Sequence, residues 1–243
     1  MFDTLGASLE ERIEDIKKVN KIFDHVFRLD ILGGEPLLNT ELKQYVLELK
    51  KLLPDTFIQI FTNGILIPTL SDDVLNCIRD NDIAISISEY YPTHQMIDKI
   101  TTKLDKYNIR YKVVEFDKKQ KFNKPISTSS DTKYPFKCIS DGCVTVADGK
   151  IAKCPTLMYI TKFNETYNEN LPTDGIFYLD ECYDGQQLLK ELDKRVPLCK
   201  HCIEYEIDWE VCGKDKRFED FAVTDNIVVT TDLYFNELLE NKI

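Results

Sequence analysis

Apolar positions along the first half of the chain alternate between helical and extended spacing. Leu9, Ile13, Ile16, Val19 and Phe23 recur at the three- and four-residue steps of an amphipathic helix. Ser8 opens that run and Glu11 stands three residues later, the order of a reciprocal capping box. Residues 26–32 then read as a strand, with Leu29 and Ile31 on one face and Asp30 and Leu32 on the other. Asn39 or Thr40 is placed to cap a second helix carrying Leu42, Val46, Leu49 and Leu53, and Pro54-Asp55 stops it. Residues 57–62 form the next predicted strand, ending in Asn63-Gly64. Ser71 caps a short helix with Val74, Cys77 and Ile78, and Cys77 on that apolar face reads as a buried, inert thiol. A strand at 83–88, a helix with Met96, Ile97, Ile100 and Leu104, and a strand at 111–116 complete the series.

Helix and strand alternating with short connections predict βα units and a mostly parallel sheet, an α/β fold. Ile83, Ile85 and Ile87 share a face that should pack on helices. The opposite face collects Asp30, Gln59, Ser86, Ser88 and Glu115. Polar side chains there suit a barrel or half-barrel lined for a ligand, held beyond the strands' C-terminal ends. The competing reading is an edge strand facing water. Residues 118–137, rich in Lys, Ser, Thr and Pro, lose periodicity and predict a linker between a 1–117 domain and a 138–243 domain. The segment NIVVTTDLYFNELLE near the C-terminus suggests a last strand and helix.

Composition narrows the classes. The chain has 243 residues, 43% hydrophobic and 30% charged, which suffices for a core without staples. A formal charge of -11 argues against nucleic-acid backbone binding. No apolar run reaches the roughly 18 residues of a membrane span. The first residues lack the pattern of a signal peptide, so a cytoplasmic protein is expected.

That expectation makes the cysteines informative, because disulfides are rare in the cytosol. Seven of the eight lie at or beyond Cys138, which points to metal. Asp148-Gly149 is a preferred two-residue hairpin turn. Counting outward, Ala147 faces Lys150, Val146 faces Ile151, Thr145 faces Ala152, Val144 faces Lys153 and Cys143 faces Cys154. Opposed residues have Cβ atoms about 4.5–5.5 Å apart, near enough to share a metal centre. Cys199-Lys200-His201-Cys202 supplies a second pair. Four thiolates serve zinc or an iron–sulfur cluster equally, and spacing alone does not choose. Cys138 and Cys212 are further candidates, Cys182 reads as packing, and His201 reads as a surface neighbour of the pair.

At the end of the first strand, Leu32-Gly33-Gly34-Glu35-Pro36-Leu37-Leu38 forms a strand-to-helix corner. Gly33-Gly34 lets backbone approach a ligand closely, and Pro36 stiffens the exit. Backbone carbonyls with the Glu35 carboxylate suit a cationic amine.

Together with Phe61-Thr62-Asn63-Gly64 and the cysteine-rich tail, this corner resembles the radical S-adenosylmethionine superfamily. The resemblance implies that Gly33, Gly34, Glu35 and Pro36 hold the amino group of S-adenosylmethionine. It places Asn63 in the same cofactor set, and Ser86 or Ser88 at the ribose by strand position. The hairpin, a helical connection and Cys-x-x-Cys are similar to the auxiliary domain of the SPASM or twitch type. On that resemblance Cys143 or Cys138, with Cys154, Cys199 and Cys202, would hold one auxiliary [4Fe-4S] cluster.

The chain departs from the family where it matters most. Its catalytic cluster needs C-x-x-x-C-x-x-C, and no cysteine precedes Cys77. The first barrel strand is also missing from the pattern, so a partial barrel is expected. Two explanations stand: an N-terminally shortened form, or a degenerate relative. Either way this polypeptide alone is not expected to cleave S-adenosylmethionine reductively, and no catalytic residue is assigned. A zinc-stapled scaffold or interaction module, and an unrelated α/β enzyme using Asp30, Glu35 and Glu115 as acid–base groups, remain as alternatives. The resemblance implies a substrate that is a peptide, a sugar or another small molecule.

Overall fold

Four parallel strands in sequential order build the first sheet: β1 (Arg28–Ile31), β2 (Phe57–Thr62), β3 (Ala84–Ser88) and β4 (Tyr111–Val114). The computed structural model describes residues 8–114, 121–129, 138, 140–208 and 217–224. The chain divides into two units between Gln120 and Lys121. In the first unit, helices α1 (Leu9–Ile22), α2 (Leu42–Leu52), α3 (Asp72–Asp80), α4 (Tyr91–His94) and α5 (Ile97–Lys106) alternate with those strands along the chain. The Ser8–Glu11 capping box forms at α1, and the Ser71 side chain caps α3. At α2 the expected cap is displaced. Asn39 Oδ1 accepts the Glu41 N–H, and the helix starts at Leu42 without a side-chain cap.

Periodicity explains the core. Ile31, Ile58, Ile60, Ile85 and Ile87 project from one sheet face into a single cluster with Ile16, Val46, Leu49, Leu75, Ile78, Ile100 and Leu104 from the helices. Each fully buried aliphatic side chain contributes about 1.5–3 kcal/mol relative to exposure, so this one face carries most of the unit's stability. Sequential parallel strands joined by right-handed crossovers place their helices on the same side, which is what this cluster records. Cys77 is buried in it, as expected.

The opposite face is mixed, with Arg28, Phe57, Lys112 and Val114 exposed around a buried polar centre. Asp30 is in register with Gln59, and Phe61, Ser86 and Lys112 stand in one row. Gln59 and Ser86 lie on the central strands and are buried, which removes the edge-strand reading for them. Arg28 bridges Asp30 (2.7 Å) and Gln59 (3.3 Å). Arg28 and Arg110 lie over the Phe57 ring, and Lys112 lies over Phe61.

The second unit has two small sheets. Strand β5 (Lys121–Ser127) pairs antiparallel with β9 (Cys202–Asp208) and parallel with β10 (Ala222–Val223). The other sheet joins β6 (Thr145–Ala147), β7 (Lys150–Ala152) and β8 (Ile176–Tyr178) as antiparallel neighbours. Helices α6 (Pro155–Tyr167) and α7 (Gly185–Asp193) follow β7 and β8 respectively. Leu157, Ile160 and Phe163 of α6 centre a core with Ile126, Leu198 and Ala222.

Two expectations need correction here. Residues 121–127, read as linker, are a strand of the second unit. Pro125 lacks a donor and coincides with the irregularity between Lys124 and Ile126, which breaks the sequence pattern without breaking the strand. Cys182, read as packing, is exposed. Glu115, Cys212 and the segment proposed as a C-terminal strand and helix lie outside the described residues. Among the described residues no helix is long and apolar enough to cross a membrane.

Candidate metal centre and cofactor corner

The strand β1 ends at the Gly33-Gly34 corner, and Glu35 begins a 3-10 turn over Pro36–Leu38. The Glu35 carboxylate is drawn to its own turn and to the end of β2. Its Oε1 accepts the Leu37 N–H (3.1 Å) and the Thr62 hydroxyl (2.6 Å), while Oε2 accepts the Asn63 N–H (2.9 Å). The two motifs singled out in the sequence are therefore one piece of structure at the C-terminal edge of the sheet. A carboxylate offers about four acceptor positions, so Oε2 keeps one for a further donor.

The next strand end is tied in as well. Thr93, fully buried, donates its hydroxyl to the Asn63 carbonyl (2.7 Å). Asn63 Oδ1 accepts the Ile65 N–H, and Gly64 turns the chain at φ +77°. Gly33 and Gly34 are exposed, and a Cβ built on Gly33 would meet nothing within 4 Å. The fold does not require glycine at 33, so the open backbone there is free to serve a ligand. Ser86 Oγ is buried without a hydrogen-bond partner on the polar face, and Ser88 is half-buried one step nearer the strand end.

In the second unit the hairpin register is the expected one: Ala147 pairs with Lys150, Val146 with Ile151 and Thr145 with Ala152. The ladder stops there, so the expected opposition of Cys143 and Cys154 does not form. Cys154 is the N-cap of α6 with Pro155 at the first helical position, which turns the chain out of the sheet. Cys143 is exposed, and all seven described cysteines are free thiols.

The thiols that influence one another electrostatically are Cys138, Cys154, Cys199 and Cys202. Burial pushes the Cys202 thiol up to about 12, and Cys154, Cys199 and Cys138 add to that push. Burial likewise raises Cys154, with the Cys138 and Cys199 thiols adding and the Leu157 N–H opposing. Three of these sulfurs accept backbone N–H groups at 3.4 Å: Cys138 from Ser140, Cys154 from Leu157, and Cys199 from Val196. Each bond has a local origin. Cys138 heads a turn closed by the Asp141 N–H to its carbonyl, Cys154 caps α6, and Cys199 lies in the 3-10 helix Pro197–His201. His201 is pinned through Nδ1 to the Ser127 carbonyl (3.1 Å), a structural role beside the pair. Among the described residues no group of three or more His, Cys, Asp or Glu is arranged to hold a metal ion.

A charged network missed by sequence reasoning flanks Cys138. Asp141 Oδ2 accepts the Cys138 N–H (3.2 Å) and Arg195 Nη2 (2.9 Å), and Oδ1 lies 3.4 Å from Lys153 Nζ. Burial works to raise the Asp141 carboxyl, but the Cys138 N–H, Arg195 and Lys153 outweigh it and hold it below the usual carboxylate range. Lys153 is only 3% exposed and also donates to the Asp193 carbonyl. Among the described residues the buried Arg195 Nη1 has no acceptor in full hydrogen-bond geometry, though the Cys138 thiol acts on the guanidinium. No protein-family model and no curated protein matches the chain.

Proposed function

We propose that this is an iron–sulfur protein of radical S-adenosylmethionine type. Its first unit is a partial βα barrel without the first strand. Its second unit is a SPASM- or twitch-like domain in which Cys138, Cys154, Cys199 and Cys202 hold an auxiliary [4Fe-4S] cluster. The observation carrying this reading is the set of backbone N–H groups aimed at three of the four sulfurs. Such donors stabilise thiolate over thiol and are among the groups that set a cluster's potential. Cys138 takes the place that the sequence left open between it and Cys143. Zinc draws its thiolates close, at about 2.3 Å from one ion. A cluster puts its own irons and sulfides between its thiolates, and the four thiols here influence one another electrostatically. When bound, such a cluster supplies one-electron transfer.

At the sheet edge, the reading gives Gly33, Gly34, Glu35 and Pro36 to the amino group of S-adenosylmethionine, with Asn63 beside them. Glu35 Oε2 retains an acceptor position for that amine, and the unpartnered Ser86 Oγ, or Ser88, suits its ribose. For this chain the proposal covers cofactor binding.

The test is anaerobic reconstitution with iron and sulfide. Equal iron and acid-labile sulfide with a broad visible absorbance, lost in C154S and C202S and kept in C143S and C182S, supports the reading. One zinc without iron or sulfide selects the zinc-stapled scaffold instead. For the cofactor corner, equilibrium dialysis with S-adenosylmethionine should show binding that Gly33→Val abolishes without changing the melting temperature. Equal binding by that variant removes the corner from the proposal.

A further inference from the structure

Asp141 joins the backbone of Cys138 to Arg195 through the same carboxylate oxygen, and joins both to the buried Lys153 through the other. Two cations thus share one carboxylate, and while Asp141 (37%) and Arg195 (30%) keep some exposure, Lys153 is only 3% exposed, so a positive charge is left over with its lysine end buried. Buried charge is costly unless it is paired. Arg195 Nη1 is buried with no acceptor in full hydrogen-bond geometry among the described residues, while the Cys138 thiol and Asp141 both act to hold the proton on the guanidinium. The groups next to this network that can become anionic are the thiols, with Cys138 hydrogen-bonded to Asp141 through its backbone.

We propose that Arg195 is a positioning residue of the thiol centre: held in place by Asp141, it presents its buried Nη1–H to the Cys138 sulfur and offsets the negative charge gathered there. The inference rests on the cluster reading above and adds to it a named residue that sets the cluster's electron affinity. A fixed positive charge and an N–H donor at a ligand sulfur both favour the reduced, more negative state, so they raise the reduction potential. Arg195 suits the part because its planar fork can bind Asp141 with one nitrogen and aim another at the sulfur. Lys153 holds the far side of Asp141 and keeps the carboxylate from rotating away.

The experiment is a potentiometric titration of the reconstituted full chain, followed by electron paramagnetic resonance, in wild type, R195M, R195K and D141E. Circular dichroism confirms that each variant is folded. The expected result is a more negative midpoint potential for R195M, an intermediate one for R195K, and a shift in the same direction for D141E, which keeps the carboxylate charge but displaces the guanidinium's anchor. If R195M fails to fold, R195K and D141E against wild type decide the question. Wild-type potentials in every folded variant at full iron occupancy overturn the role of Arg195 and leave the cluster reading standing. A wild-type chain that takes up no iron overturns both.

Discussion

The Thr62 hydroxyl donates to Glu35 Oε1 at 2.6 Å and accepts the Gly64 N–H at 2.9 Å, so one buried side chain locks the glycine-glutamate corner to the end of β2. Thr62→Val keeps the shape and removes both bonds. Thr62 is buried, so the Gly64 N–H and one Glu35 position lose their partner away from water. The expected cost is about 1–3 kcal/mol, seen as a lower denaturation midpoint at unchanged slope. An unchanged midpoint would mean that Glu35 is held by the Leu37 and Asn63 amides alone.

Two glycines at the same sheet edge should respond in opposite ways. Gly64 sits at φ +77°, and a Cβ there would lie 3.1 Å from Ile87 and 3.3 Å from Ile100. Gly64→Ala should cost about 1–3 kcal/mol from backbone strain, with overpacking of the isoleucine core added. Gly33→Ala meets open space and should leave stability within roughly 0.5 kcal/mol of wild type. Thermal melts of the two variants side by side check the contrast.

Much of this arrangement was legible because it is local. Isoleucine at alternate positions of β3 announced a face, Ser8 and Ser71 announced helix starts, and Asp148-Gly149 fixed a hairpin register that the structure keeps. The strand β5 was not legible, because its partner β9 lies some eighty residues on and Pro125 interrupts its pattern. The separation of Cys143 from Cys154 has a signal in the sequence: Pro155 after Cys154 marks a helix start, and a helix start ends a ladder. Thr62 was inside a motif already singled out, yet its hydroxyl partner was visible only in space. The Asp141–Arg195 pair joins residues 54 positions apart and has no sequence signature at all.

The raised thiols give the metal-free protein a pH signature. Cys202 is pushed from an ordinary 9.0 to about 12, so the folded state prefers the neutral thiol. A group raised in the folded state adds stability that is complete below its unfolded value and fades as pH climbs through the folded one. The metal-free chain should therefore lose stability between about pH 9 and pH 12. Cys202→Ser should flatten that alkaline loss in melts run across the interval. Alkylation at neutral pH should label the exposed Cys143 and Cys182 well before Cys154 and Cys202. Fast labelling of Cys202 would show that its thiol is not shielded.

Gly175 ties the packing of the second unit to the thiol pair. It sits at φ +96°, and a Cβ on it would stand 2.6 Å from Val196 Cγ1, so alanine forces Val196 to move. Val196 in turn donates its N–H to the Cys199 sulfur (3.4 Å) and accepts the Cys199 N–H (2.8 Å). A displaced Val196 carries Cys199 with it. Gly175→Ala should destabilise by about 2–4 kcal/mol, from strain and overpacking together, and should also lower iron retained after reconstitution. Adding Val196→Ala removes the clashing methyl while leaving the backbone strain. The double variant should regain iron retention and recover only part of the stability. Recovery of stability without iron would separate the packing of Val196 from the placement of Cys199, since the first would then be repaired and the second not.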